Sequence, residues 1–242
     1  MPIHSFHADG VSLLTIDRTE RRNALNLDAV EQLDDAIAQS LSSGSRAIVL
    51  TGADGHFCAG ADLKELDDLS FTRRLRTMLD HLADAPVVTI AAISGACMGL
   101  GMQLALACDV RLATTDASFG VPVAKLGLMV DHWTIQRLAD AVGPGMARLM
   151  VLCAEVITTD DAQRVGLVQR VGDLGAAESL AQRVTTLAPL SISGSKLGLD
   201  RLHPRANDAD YGVAFERAWA STDLVEGRRA FAERRPPNFT GL

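Results

Sequence analysis

The feature that most constrains the fold is an apolar run at 87–93 that feeds a glycine-dense stretch, Gly95-Ala-Cys-Met-Gly-Leu-Gly101. An apolar helical pattern over 102–108 follows it. A short, unbroken, β-branched run reads as a buried strand. Strand, flexible turn and helix start, in that order, aim backbone N–H groups at whatever lies above the turn. An anionic group, or a carbonyl oxygen becoming anionic, is the natural occupant.

The rest of the chain places this stretch in an ordinary globular setting. At 242 residues, 48% hydrophobic and 22% charged, it can bury a full core as one domain with at most a small appendage. A net charge of −7, no basic stripe and only 4% aromatic residues argue against a nucleic-acid partner. The first eighteen residues have no basic head followed by an apolar stretch, and no apolar run is long enough to span a bilayer. The expected location is therefore the cytoplasm. Cys58, Cys97, Cys108 and Cys153 lack the paired spacing of a zinc site, so buried free thiols and no metal are expected.

In chain order, 3–7 and 11–17 alternate around Ala8-Asp-Gly10 and read as a β-hairpin, and 18–26 reads as a basic loop. Asn26 or Asp28 caps a helix with Val30, Leu33, Ile37 and Leu41 on one face. A strand at 47–50 ends in the loop 52–63. Helical spacing follows over 63–69 and 71–83, interrupted near Ser70, with a solvated acidic run at 65–68. Two helical segments, 131–142 and 145–153, are separated by Gly143-Pro144. Thr158 or Thr159 starts another helix, and 167–171 is a last short strand. From Leu174 onward the chain is helical, with breaks at Pro189, Pro204 and Pro236-Pro237. No internal repeat is visible. Early strands, crossover helices and a helical tail give an α/β layered core at 1–190 with a C-terminal helical extension at 191–242.

Three readings compete for 95–101. A dinucleotide fingerprint fails because Gly99-Leu-Gly101-Met-Gln-Leu104 lacks its third glycine and its later acid. A thiol version of the nucleophile elbow, Gly95-Ala-Cys97-Met-Gly99, needs His132 or His203 as a base, and a buried, inert Cys97 competes with it. The third reading pairs this turn with Cys58-Ala-Gly-Ala61-Asp-Leu. Two such turns at two strand ends each offer one N–H to the same oxygen, as an enolate or thioester oxyanion requires.

The chain resembles the enoyl-CoA hydratase/isomerase (crotonase) family from end to end. The matching words are Arg22-Asn-Ala-Leu-Asn26, Phe57-Cys-Ala-Gly-Ala-Asp-Leu63, Pro86-Val through Gly95, and Ala107-Cys-Asp-Val-Arg111. They continue with Phe119-Gly and Pro122, Lys125-Leu-Gly127, Gln136-Arg-Leu138 and the tail Phe231-Ala-Glu-Arg-Arg-Pro-Pro-Asn-Phe239. The resemblance implies a spiral of ββα units, with C-terminal helices joining a homotrimer or a dimer of trimers. It implies a fatty acyl-CoA or enoyl-CoA ligand and no separate cofactor, coenzyme A being part of the ligand. The thioester oxygen would meet the N–H groups of Ala61 and Leu100. Coenzyme A would meet Arg22, Ala59, Asp62, Leu63, Lys64 and Arg235, the last from a neighbouring subunit. Leu100 departs from the family's small residue, which narrows the pocket but keeps the backbone donor.

The family's hydratases hold two carboxylates across the double bond, and their positions here carry Gln103 and Val123. An amide has no accessible proton-transfer pKa, and valine has no polar side-chain atom. Ordinary hydration is therefore disfavoured. Asp131 opens Asp131-His132-Trp133, where some isomerase and dehalogenase members carry a catalytic aspartate. The same aspartate also suits a helix N-cap. His132 and Trp133 are expected in the acyl pocket or trimer core. Gln103 with Asp131 and Trp133 resembles an actinobacterial subgroup that binds long-chain acyl-CoA without hydrating it and passes acyl chains towards fatty-acid and mycolic-acid synthesis. The scarcity of lysine (Lys64, Lys125 and Lys196 among 23 basic residues) agrees with that origin. The expectation is an acyl-CoA-binding protein with little hydratase activity; the alternatives are an isomerase or weak hydratase using Asp131, and a Cys97 thiol hydrolase.

Overall fold

A computed structural model describes residues 1–63, 69–200, 213, 215–217 and 219–240. Strands β1 (Ile3–Ala8) and β2 (Val11–Ile16) form the expected hairpin, paired antiparallel from Ile3↔Ile16 to Ala8↔Val11. Strands β3 (Ala47–Gly52), β4 (Val88–Ile93), β6 (Val110–Ala113) and β9 (Arg170–Val171) then add in parallel, giving a six-stranded sheet ordered β1-β2-β3-β4-β6-β9. A three-stranded sheet of order β5-β7-β8 uses β5 (Ala96–Met98), β7 (Ser118–Gly120) and β8 (Val156–Thr158).

The central strands are apolar throughout because both faces of the large sheet are covered. Ile48, Leu50, Ala91 and Ile93 face a core shared with helices α1 (Leu27–Ser42), α2 (Leu69–Asp84) and α3 (Leu100–Ala107). Ala47, Val49, Ile90 and Ala92 face Ala177, Ala181 and Val184 of α6 (Leu174–Thr185). The remaining described helices are α4 (His132–Leu152), α5 (Thr159–Arg164), α7 (Pro189–Asp200) and α8 (Thr222–Glu233).

The chain climbs in turns. Each visits the large sheet, then the small sheet or a bridge beside it, then a helix: β2, the Leu25↔Ala61 bridge and α1; β3, the Cys58↔Cys97 bridge and α2; β4, β5 and α3; β6, β7 and α4. The repeat is topological and leaves no repeated words in the sequence, since the second strand of the first two turns shrinks to one bridge. Asn26 caps α1 by accepting from Ala29 N at 3.0 Å, and Thr158 caps α5. Gly143, at φ 77°, divides α4 where Gly143-Pro144 predicted a break.

Several expectations need correction. Helix α2 passes through Ser70 without interruption; the acidic run at 65–68 lies outside the described residues. The 95–101 stretch is not one turn, because β5 occupies its middle and pairs with β7. Helix α3 starts at Leu100 rather than 102. Helix α7 begins at Pro189, and its Lys196 reaches Asp109 Oδ2 at 2.8 Å and Val87 O at 3.1 Å. The C-terminal helix α8 packs on its own chain. A Cβ built at Gly127 would lie 2.7 Å from the Asp223 carbonyl carbon, and one at Gly227 would lie 2.5 Å from Leu126 O. No helix of the described residues is long and apolar enough to cross a membrane.

Candidate functional site

An open cleft of about 1810 Å³ is lined by the ends of these turns, by α2, by the start of α4 and by α8. Its floor is built from backbone. Residues 59–62 run beside 22–25: Ala59 N donates to Arg22 O at 3.0 Å, Leu25 N to Gly60 O at 2.9 Å and Asp62 N to Leu25 O at 2.8 Å. Strand alternation turns the intervening N–H, that of Ala61, to the other side. Among the described residues it has no acceptor.

The second amide arrives on α3. Gly99 adopts φ 52° and ψ −107°, open to glycine and strained for other residues, and its N–H is held by Gly120 O at 2.9 Å. Leu100 is then the first helical residue, and its N–H has no intrahelical partner. Gly101 brings this end onto the first strip: a Cβ there would lie 2.2 Å from Cys58 O. A Cβ on Gly99 would lie 4.0 Å from Gly60 Cα. The two turns that sequence reading paired are therefore in contact, with two unclaimed N–H groups on one cleft and the positive end of the α3 dipole behind one of them.

One helical turn beyond Leu100, Gln103 lines the same cleft; it is 7% exposed and donates from Nε2 to Thr134 Oγ1 at 2.9 Å. Val123, in the 3-10 turn Val123–Leu126, also lines it. Asp131 is on the wall, but its carboxylate is occupied: Oδ1 accepts from Thr134 N at 2.8 Å and Oδ2 faces Arg76 at 3.4 Å. The N-cap reading describes this contact directly. His132 and Trp133 line the cleft too, and Arg76 lies 3.9 Å above the Trp133 ring. Beside Gln103 and Val123, Asp131 is the carboxylate the wall offers; the other described lining acids are Glu20, Asp62 and Asp116. Asp62 is buried and braced by Arg18 at 3.2 Å.

Arg22, Ala59 and Leu63 line the cleft as expected, joined by Arg21, Arg73, Lys125, Arg228 and Arg234. Lys64 and His203 lie outside the described residues. Arg235 does not line the cleft; Glu226 at 2.6 Å and Glu233 hold it within its own chain, raising its pKa. Cys97 is fully buried with its thiol against Met102 Sδ, and burial pushes its pKa well up. That environment disables the thiol-hydrolase reading, because the neutral thiol is neither accessible nor nucleophilic. Among the described residues no cluster of metal-ligating side chains is present.

Sequence reading missed Arg76, Thr134, Arg228 and Trp219. Arg76 was hidden in an ordinary amphipathic pattern, and its role depends on α2 reaching Asp131 and Trp133 at the start of α4. Arg228 donates to Leu63 O at 3.2 Å and Trp219 to Met129 O at 3.1 Å, contacts between residues 165 and 90 positions apart. No local spacing signals either one.

The profile described as enoyl-CoA hydratase/isomerase matches residues 7–242. The chain is 40% identical over 240 residues to the probable enoyl-CoA hydratase echA6 of Mycobacterium leprae, covering 97% of each. It is 34% identical to human mitochondrial methylglutaconyl-CoA hydratase, covering 96% of this chain and 74% of that one. Among solved structures, an enoyl-CoA hydratase/isomerase from Pseudoalteromonas atlantica superposes with a TM-score of 0.90 at 29% identity, covering 99% of this chain and 100% of that one.

Proposed function

Because the chain belongs to the enoyl-CoA hydratase/isomerase family, we propose that it binds fatty acyl-CoA thioesters within acyl-CoA metabolism and hydrates enoyl-CoA very slowly or not at all. The observation that supports this reading is that Ala61 and Leu100, whose N–H groups meet no acceptor among the described residues, line one cleft together with Gln103 and Val123. Two donors converging on one oxygen suit a thioester carbonyl, and losing one such donor typically costs about 2.7–4 kcal/mol of transition-state stabilisation. General acid–base help is worth about 10²–10⁴ in rate per group, and neither facing side chain can supply it. The arginines on the rim suit the phosphates of coenzyme A. Arg22 and Arg228 are the rim residues assigned to that contact, with Lys64, and Arg235 of a neighbouring subunit, as further ones.

Calorimetry with hexadecanoyl-CoA, beside a hydration assay on crotonyl-CoA, tests the reading. Saturable binding without hydration above the protein-free rate supports it. Rapid hydration, or no binding of any acyl-CoA, overturns it.

One observation keeps a second reading in play: the Asp131 carboxylate is on the cleft wall. An isomerase would use it to move a proton between acyl carbons while the two amides hold a dienolate. Its present partners, Thr134 N–H and Arg76, favour the cap instead. Full isomerase turnover by Asp131→Asn would remove this alternative; loss of turnover with CoA affinity intact would establish it.

A further inference from the structure

The Ala61 amide ends a chain of hydrogen bonds that begins at a guanidinium. Arg18 Nη1 donates to Ala24 O. A peptide unit is planar and trans, so the C=O of Ala24 and the N–H of Leu25 point in opposite directions from one rigid plane. Leu25 N donates to Gly60 O at 2.9 Å, and Gly60 O shares its peptide plane with the Ala61 N–H. Arg18 thus reaches the cleft amide through two peptide planes and the hydrogen bond between them. Each donor in such a chain polarises the carbonyl it meets and makes the N–H of that plane a stronger donor. A charged donor at the head strengthens the first bond.

The guanidinium is held in place from several sides. The Arg18 backbone N–H donates to Asn23 Oδ1 at 2.9 Å, and the fully buried Asn23 has φ 60°. Asparagine tolerates that left-handed region, so the chain folds back between 18 and 23 and returns Arg18 to residue 24. Nη2 donates to Asp62 Oδ2 at 3.2 Å, and Arg21 Nε lies 3.9 Å from the same oxygen. The Arg18 and Asp62 side chains are 12% and 6% exposed, so salt screens the pair little. The Asp62 carboxylate lies one residue from the amide that would receive a thioester oxygen, and the guanidinium offsets its charge there. Arg18 itself is not among the residues lining the cleft. Resting on the thioester reading above, we infer that Arg18 is a positioning residue for the Ala61 amide. It aims that N–H and strengthens it as a donor without touching the ligand. The two cleft amides then draw their polarity from different sources, Ala61 from a buried charge and Leu100 from the α3 dipole.

The test uses the full chain with Arg18→Met and Arg18→Lys, and takes two readings within each protein. One is the infrared C=O stretch of bound octanoyl-CoA labelled with carbon-13 at the thioester carbonyl. The other is the calorimetric affinity of octanoyl-CoA relative to S-octyl-CoA, a thioether that lacks the carbonyl oxygen. The unaltered protein should lower the stretch below its value in water and prefer the thioester. In Arg18→Met the stretch should move back up and the preference should fall roughly three- to tenfold, as for one hydrogen bond. Arg18→Lys keeps the charge without the two-branched reach, so both readings should fall between those two proteins; it serves alone if Arg18→Met does not fold. A stretch and a preference unaltered in the variants overturn the inference. Thioester and thioether affinities that fall together, with the stretch unmoved, overturn it too, because Arg18 then only holds the fold. An unaltered protein that neither shifts the stretch nor prefers the thioester would overturn the thioester reading itself, a separate result.

Discussion

At the scale of single residues, close approach decides more than propensity. Replacing Gly101 by alanine gains about 1 kcal/mol of helix propensity. The added Cβ would fall 2.2 Å from Cys58 O, a backbone atom that cannot swing away. Overpacking of this kind costs about 1–3 kcal/mol, so Gly101→Ala should lower stability in urea and weaken acyl-CoA affinity by displacing the Leu100 amide. The cysteines give a second residue-level test. Burial pushes the Cys58 and Cys108 thiols up to about 12 and Cys97 well above its usual value, whereas Cys153 is exposed. A thiol reagent should therefore modify Cys153 alone in the native protein and all four after denaturation. Because these pKa values are higher folded than unfolded, stability holds below about pH 9 and falls as pH climbs towards 12. Rapid native labelling of Cys97 would contradict this. The site was legible at this scale where backbone carries it: Gly60, Gly99 and Gly101 announce two tight turns whatever surrounds them. Its side-chain partners were not, since Thr134 and Arg76 acquire their roles only when α4 and α2 meet the cleft.

At the scale of elements, the words in the sequence that looked functional prove partly architectural. In Arg22-Asn-Ala-Leu-Asn26, the buried Asn23 donates to Ala53 O at 2.8 Å and His56 O at 2.6 Å, and Asn26 caps α1. The word thus holds the strip beside the Ala61 amide as well as the rim. Helices with caps and clean periodicity were readable; β6, β7 and β8 were not, because strands of three or four residues carry too little alternation to register. The end of α8 forms another element-level device. Hydrogen bonds from Arg235 and the Asn238 backbone to Glu226 hold that carboxyl down at about 2 and fasten the tail across the helix. A depressed carboxylate pKa adds stability above its unfolded value, near 4.5, that is lost as pH falls towards 2. Limited proteolysis between pH 5 and 2 should show the 234–240 tail released as Glu226 protonates. Glu226→Gln should release it already at neutral pH; a tail equally protected in both proteins would refute the clasp.

At the scale of the whole molecule, the cleft is finished by the chain's own C-terminal helix. Arg228 and Phe231 of α8 line it, and Arg228 ties α8 to Leu63. Arg228→Ala should weaken acyl-CoA affinity several-fold with little change in melting temperature, and the loss should shrink at high salt if phosphate contact is its cause. Equal loss at all salt concentrations would assign Arg228 to packing instead. The layered α/β arrangement was readable from the order of strands and helices. The return of α8 over its own core was not, because it rests on close backbone packing at Gly127 and Gly227, one hundred residues apart. The proposed function requires a molecule that grips a thioester while lacking the groups that move its protons. The most direct measurement saturates the protein with crotonyl-CoA in deuterium oxide and follows the acyl chain by NMR. The bound alkene is expected to stay unchanged against the protein-free control, with no deuterium at its second or fourth carbon. Formation of 3-hydroxybutyryl-CoA, or deuterium entering either carbon, would contradict it.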